Sequence, residues 1–164
     1  MKRFLVMVLL LSLVFVSACK AADSKATDGG EEEMVDLKDL MTGMVEKAGM
    51  KELLESGSLE ETGQEEAAFL IGAERLETSF EQGYSLQPMI NVHPFAMGLF
   101  KVADSQEASA FARELKEKAD RRKWICVEAE TIAAGVKGRL VLFVMGSVEE
   151  VSAITGAAEF DLVP

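Results

Sequence analysis

The chain has 164 residues, with 28 acidic and 17 basic side chains and a net charge of −11 at pH 7. This excess of acid argues against nucleic-acid binding, which needs basic side chains to neutralise phosphates. Because 49 % of the residues are hydrophobic, the chain can form a real core, and its length suits a single domain.

The first nineteen residues have the parts of an export signal. Lys2 and Arg3 precede an apolar run over residues 4–16, and the sequence VSAC follows at 16–19 with the form of a lipobox. As a helix the apolar run reaches roughly 20 Å, short of the ~30 Å hydrocarbon core of a bilayer. We therefore predict a signal peptide rather than a membrane span. An ordinary secretory peptide with a chance cysteine is the alternative.

Residues 1–19 resemble the signals of bacterial lipoproteins. The resemblance implies that residues 1–18 are removed and that the mature chain begins at Cys19, acylated on its thiol and amino group. Several acyl chains anchor a protein firmly in a bilayer. The predicted location is thus the extracytoplasmic face of the cell membrane, and the first predicted partner is the lipid bilayer, bound through acylated Cys19.

Residues 19–33 are predicted to be the lipidated cysteine and a flexible acidic tether. The sequence KAADSKATDGGEEE offers too little apolar surface to offset the entropy of ordering it. Loss of residues 1–18 removes Lys2 and Arg3 and no acid, so the mature net charge is −13. Such a charge disfavours a second, electrostatic attachment to anionic lipid.

The globular domain is predicted over residues 34–164, and it begins with an amphipathic helix. Apolar residues recur at helical spacing over residues 34–48, after Asp36 as a candidate N-cap and before Gly49 as a stop. Methionines in this stretch have thioethers that suit Cu(I), but a core-facing helix is the preferred interpretation. Residues 50–88 give no clear assignment.

Two strand–helix units are predicted in the C-terminal half. A strand is predicted over residues 89–102, and Pro94 near its start favours a sheet edge or a bulge at that point. A helix then starts at Asp104, with Glu107 in capping-box position. Residues 140–145 are continuously apolar, as in a strand buried on both faces. Ser147 and Glu150 form a second capping box before the last helix.

A third strand is predicted between these units, over residues 124–132. It would bury Cys126 as a small hydrophobe. The order β-α-β-β-α indicates the α+β class: one small domain, an antiparallel or mixed sheet with helices on one face, and a candidate ferredoxin-like order.

Residues 95–159 resemble the C-terminal part of a family of small bacterial lipoproteins of unknown function. The features that carry the resemblance are a strand ending in KVAD, a charged helix, the sequence WICVEAE, and GRLVLFVMG before a last helix. The resemblance implies the α+β domain and the lipid anchor. It implies no activity, cofactor or catalytic residue.

The sequence contains no catalytic constellation that we identify. His93 is the only histidine, which excludes two-histidine chemistry, and it lies in an apolar segment without a GxSxG motif nearby. Phosphate-binding loops, CxxC pairs and zinc spacings are absent from the sequence. We therefore predict that the protein is not an enzyme and has no cofactor or metal site.

Two groups of residues are candidate binding surfaces. The first is an apolar strip that would dock a partner strand along a sheet edge, and a plain capped edge is the alternative. The second is a basic-aromatic cluster that would hold an anion, and a solvated helix end is the alternative. The strip consists of Met89, Ile90, Val92 and Phe95, and the cluster of Arg121, Arg122, Lys123 and Trp124.

The predicted function is that of a non-catalytic interaction or accessory module of the cell envelope, held on the membrane and bound to an envelope protein. A small-ligand or metal-binding lipoprotein is the alternative.

Replacement of the predicted lipidated residue, Cys19→Ser, should abolish acylation and leave the precursor uncleaved or mislocalised, because the serine hydroxyl cannot take the thioether-linked lipid. Metabolic labelling with a fatty-acid analogue measures this directly. Equal labelling of the two proteins would contradict the lipobox interpretation.

Overall fold

The computed structural model describes residues 36–164 with the exception of residue 91. The predicted signal peptide, Cys19 and the tether lie outside the described residues. No helix in the described part is long and apolar enough to cross a bilayer. The elements in chain order are α1 (Leu37–Lys47), α2 (Lys51–Ser56), β1 (Gly57–Glu61), α3 (Gln64–Ile71), β2 (Gln82–Pro88), β3 (Ala96–Lys101), α4 (Ser105–Lys118), β4 (Thr131–Lys137), β5 (Leu140–Gly146), α5 (Val148–Ala158) and β6 (Asp161–Leu162).

The six strands form one antiparallel sheet in the order β1-β2-β3-β5-β4-β6. The predicted α+β class, with a single small domain, is confirmed. Strand β5 lies inside the sheet, paired with β3 on one side and β4 on the other. Its residues 141–146 are buried, as the continuous apolar run predicts.

The sheet is covered by helices on both faces, not on the single face that we predicted. Alternate side chains of β5 enter two different cores, because successive residues of a strand point to opposite faces. Val141 and Phe143 pack in the core that contains α3 and α4. Leu142 and Val144 pack in the core that contains α1 and α5.

The handedness of the chain crossovers explains why both faces are covered. From β3 through α4 the chain moves two places across the sheet to β4, and from β5 through α5 it moves two places in the same direction to β6. Strands β3 and β5 are antiparallel. Two right-handed crossovers that start from opposed strands and step the same way must place their helices on opposite faces.

The ferredoxin-like order is therefore present only in part. The segment β3-α4-β4-β5-α5 has the predicted β-α-β-β-α order, with β5 inserted between β3 and β4. In a ferredoxin-like fold the last strand returns beside the first one. Here β2 occupies that position beside β3, and the two-residue strand β6 pairs with β4 instead.

The predicted helix caps account for three helix starts. Asp36 accepts hydrogen bonds from the backbone N–H groups of Lys38 and Asp39, and Asp104 accepts one from Gln106. Ser147 forms the full capping box with Glu150 at the start of α5. The box also ends β5, because Ser147 follows Gly146 directly.

The strand predicted over residues 124–132 is wrong for most of its length, since β4 begins only at Thr131. The physical reason is pairing: Thr131 lies opposite Gly146, the last residue of β5. Residues before 131 have no strand beside them, whatever their β propensity. Cys126 lies in this irregular segment and is exposed, so its predicted burial is also wrong.

We expect Leu142→Asp to unfold the domain, because Leu142 is fully buried in the central strand. An unpaired buried carboxylate costs several kcal/mol, comparable with the whole stability of a small domain, about 5–15 kcal/mol. Thermal melts measure the effect. Leu162→Asp is the matched control, since Leu162 lies in β6 and is half exposed. A Leu142→Asp protein that melts like this control would contradict the assigned core.

Candidate functional site

Exposed apolar side chains are concentrated at one end of the sheet, where β2 and β5 end and β3 and β4 begin. We call this the apolar end. In the described part of the chain, seven large hydrophobic side chains are exposed, and six of them lie there. Scattered single hydrophobes on a surface are normal, but a shared location indicates a contact surface. The six residues are Phe69, Met89, Ile90, Val92, Ile125 and Val148.

The predicted docking strip forms the loop between β2 and β3 and is not a sheet edge. Strand β3, which follows it, is an interior strand paired on both sides. Met89, Ile90 and Val92 are 65–76 % exposed, whereas Phe95 is fully buried. Including Phe95 in a docking strip was therefore wrong. The other three side chains lie on the loop, outside both strands.

The ammonium group of Lys123 connects three segments of the chain at the apolar end. Its Nζ donates hydrogen bonds to the carbonyl oxygens of Phe69 and Leu70, at 3.3 and 2.6 Å, and to Oε1 of Gln87 at 2.9 Å. The same ammonium lies about 5 Å from the ring centres of Phe69 and Trp124, at 5.3 and 5.0 Å. These contacts join the last turn of α3, strand β2 and the 120–130 loop.

The helix end explains why a lysine is held here. A cation is favourable beside the carbonyl groups at a helix C-terminus. Gly72 ends α3 in a left-handed conformation (φ 78°), and a Cβ added there would lie 2.9 Å from Cβ of Lys123. Burial lowers the pKa of Lys123 to about 8. The ammonium still keeps its proton at pH 7 and donates all three hydrogen bonds.

Lys123 is not available to hold an anion at the predicted site over residues 121–124, because its ammonium is already bonded to the protein. An ammonium has three donors, and Lys123 uses three on protein acceptors. Arg121 and Arg122 are paired with Glu128, at 3.9 and 2.8 Å. Trp124 packs in the core with α3 and α4. The four residues are neighbours, but they do not converge on a common anion.

His93 ties the loop between β2 and β3 to helix α5. Its Nε2 is in hydrogen-bond contact with Oε1 of Glu150. The other oxygen of Glu150 accepts from the backbone N–H and the hydroxyl of Ser147, at 2.9 and 2.8 Å. Burial alone would raise the pKa of Glu150, but the bonds from Ser147 and the contact with His93 lower it. A charged carboxylate thus fixes the loop at its base.

An open cleft of about 600 Å³ lies beside this pair. Met50 and Leu53 supply apolar lining, Glu46 and Glu52 contribute carboxylates, and Lys51 contributes an ammonium that lies 3.5 Å from Oε1 of Glu46. A cleft of this volume is in the range of small-molecule sites. In residues 36–164 no three side chains among His, Cys, Asp and Glu come together as a metal site would require.

The opposite end of the sheet carries charges of both signs. The β1–α3 segment, residues 60–66, carries four glutamates and no basic residue. Lys101 and Arg139 lie at the same end, where β3 ends and β5 begins, and Arg139 pairs with Glu81 at 3.2 Å. Acidic residues also lie at the apolar end, Glu46, Glu52 and Glu150 beside His93 and Glu149 next to Val148. The negative charge of the domain is therefore not confined to one end.

Sequence reasoning missed Phe69 and Ile125 as surface residues. Each lies within a run of consecutive apolar residues, AAFLI at 67–71 and WICV at 124–127, that also contains buried side chains, and only the fold shows that both are exposed at the apolar end. The signal available in the sequence was the loop between β2 and β3, because Met89, Ile90 and Val92 lie between two prolines, Pro88 and Pro94.

Comparison with known proteins gives no relative: no protein-family model, no curated protein and no solved structure matches the chain.

We expect the double substitution Ile90→Lys, Val92→Lys to leave the melting temperature within a few degrees of wild type, because both side chains are exposed on a loop. Phe95→Lys, in contrast, should unfold the domain, since it places a charge at a fully buried position. Thermal melts of the two proteins provide the comparison. A large loss of stability in the double variant would show that the loop is part of the core.

Proposed function

We propose that the protein is a membrane-anchored extracytoplasmic lipoprotein that acts as a non-catalytic interaction or accessory module of the cell envelope. Its partners in this proposal are the bilayer, through acylated Cys19, and an envelope protein. The sequence supports the anchor through the lipobox at residues 16–19.

The observation that carries the proposal is the concentration of exposed large apolar side chains at one end of one small domain. A protein that works by contact needs exposed apolar surface, and here six large side chains provide it at the apolar end. The base of that surface is held by the Lys123 and His93 contacts. Side chains on a fixed base lose little further entropy on binding.

A second candidate function is small-ligand binding, and the cleft beside His93 favours it. The cleft combines apolar lining from Met50 and Leu53 with charged groups of both signs: the carboxylates of Glu46 and Glu52, and the ammonium of Lys51, which pairs with Glu46 at 3.5 Å. Such a lining suits a small organic molecule that also carries polar groups. A small molecule that co-purifies with the protein and is lost on substitution of Met50 would favour this candidate.

The proposal is tested by crosslinking in the native envelope. Amine-reactive crosslinking of the acylated protein, followed by mass spectrometry of the linked peptides, should give one protein partner joined at defined lysines of the domain. The non-acylated Cys19→Ser protein is the control, because it should lose the crosslink together with the anchor. The same set of diffuse crosslinks in both proteins would contradict an anchored interaction module.

A further inference from the structure

The exposed side chains of the apolar end have the size of one complete side of a protein interface. Burial of a large hydrophobic side chain removes roughly 60–120 Å² of apolar surface from water. The six side chains at this end are 52–92 % exposed, so together they present about 400 Å². One side of a standard interface buries about 800 Å², a little over half of it non-polar. Two such ends brought together would therefore form an interface of standard size.

Two ion pairs reduce the charge around these side chains. Nζ of Lys51 lies 3.5 Å from Oε1 of Glu46, and Nε of Arg122 lies 2.8 Å from Oε2 of Glu128. Each of these acids is thus neutralised within its own copy. The chain as a whole has a net charge of −11, but physiological salt screens charges beyond about 8 Å. Two copies can therefore meet at the apolar end with less repulsion than an unpaired acidic surface would cause.

The placement of the remaining groups on the two faces of the sheet suits a two-fold copy. A two-fold axis in the plane of the sheet, perpendicular to the strands, brings the α5 face of one copy opposite the α3–α4 face of the other. Val148 and Glu149 begin α5 on the first face. Ile125 and the exposed Arg121 lie in the 120–130 loop, whose Trp124 packs in the core with α3 and α4. Acid then faces base and hydrophobe faces hydrophobe at two equivalent places, as a self-complementary interface requires.

We infer that the apolar end binds the apolar end of a second copy of this chain, with the β2–β3 loops along the two-fold axis and Val148 of each copy opposite Ile125 of the other. This inference rests on the proposed function, and it identifies the envelope protein of that proposal as another copy of the chain. The proposed acyl anchors confine all copies to one surface, so that a contact too weak to persist in dilute solution is populated there.

Cys126 allows this contact to be tested in the membrane. It directly follows Ile125, is exposed, and is the only free thiol once Cys19 is acylated. One copy would carry Val148→Cys together with Cys126→Ser, a second copy would keep the natural sequence, and each would have its own epitope tag. Both would be produced in the same cells and treated with a short bismaleimide. We expect a crosslinked product of twice the monomer mass that carries both tags.

Leu162 supplies both matched controls, because it is also an exposed hydrophobe but lies on β6, away from the apolar end. Leu162→Cys with Cys126→Ser, in place of the Val148→Cys copy, should give little of the two-tag product. Ile90→Glu in both copies should remove most of the product, whereas Leu162→Glu in both copies should leave it unchanged. A circular dichroism melt of each protein verifies folding before the products are compared.

The failure of the anchor and the failure of the dimer give different results. A mature protein whose mass shows no acyl chains contradicts the proposed function itself. An acylated protein that gives no two-tag product, or as much product from position 162 as from position 148, contradicts only the dimer, because random collisions on the membrane would then account for the crosslinks. Crosslinks from Cys126 to a different protein would also overturn the dimer, since that protein would occupy the apolar end.

Discussion

Burial of strand β5 on both faces is the constraint on which the rest of the structure depends. A strand with apolar side chains at every position needs a packed layer above and below it, because each face would otherwise expose a row of large hydrophobes. Leu142 and Val144 require the layer of α1 and α5, and Val141 and Phe143 require the layer of α3 and α4. A sheet with helices on one face alone would leave half of this strand uncovered.

The same strand fixes where the apolar end lies. It stops at Gly146 because Ser147 begins the capping box of α5. Strand β4 can pair only from Thr131 onward, so residues before it run as a loop and place Ile125 in solvent. A helix cap thus determines, through strand pairing, that Ile125 and Cys126 lie in an exposed loop although their sequence favours a strand.

Elements set by local pattern were predictable, and elements set by distant contacts were not. The buried run of β5 and the caps at Asp36 and Ser147 follow from their own residues and neighbours. The segment before β2 depends instead on Glu114, in α4, whose carboxylate accepts from the backbone N–H groups of Glu77 and Thr78 and pairs with Lys118 at 3.0 Å. Burial alone would raise the pKa of Glu114, but these bonds hold it at about 2. Neither bond has a signature in the sequence of residues 72–81.

The candidate site likewise has one part that could be predicted from the sequence and one part that could not. The loop between β2 and β3 was detectable, because its hydrophobes lie within four residues of one another and are flanked by prolines. Its partners were not, because Phe69 is 20 residues before Met89 and Ile125 is 36 residues after it. The hydrogen bonds of Lys123 bring these segments together, and that lysine appeared in the sequence as one member of a basic cluster. The fold turns it inward, because α3 ends with carbonyl groups that need a cation.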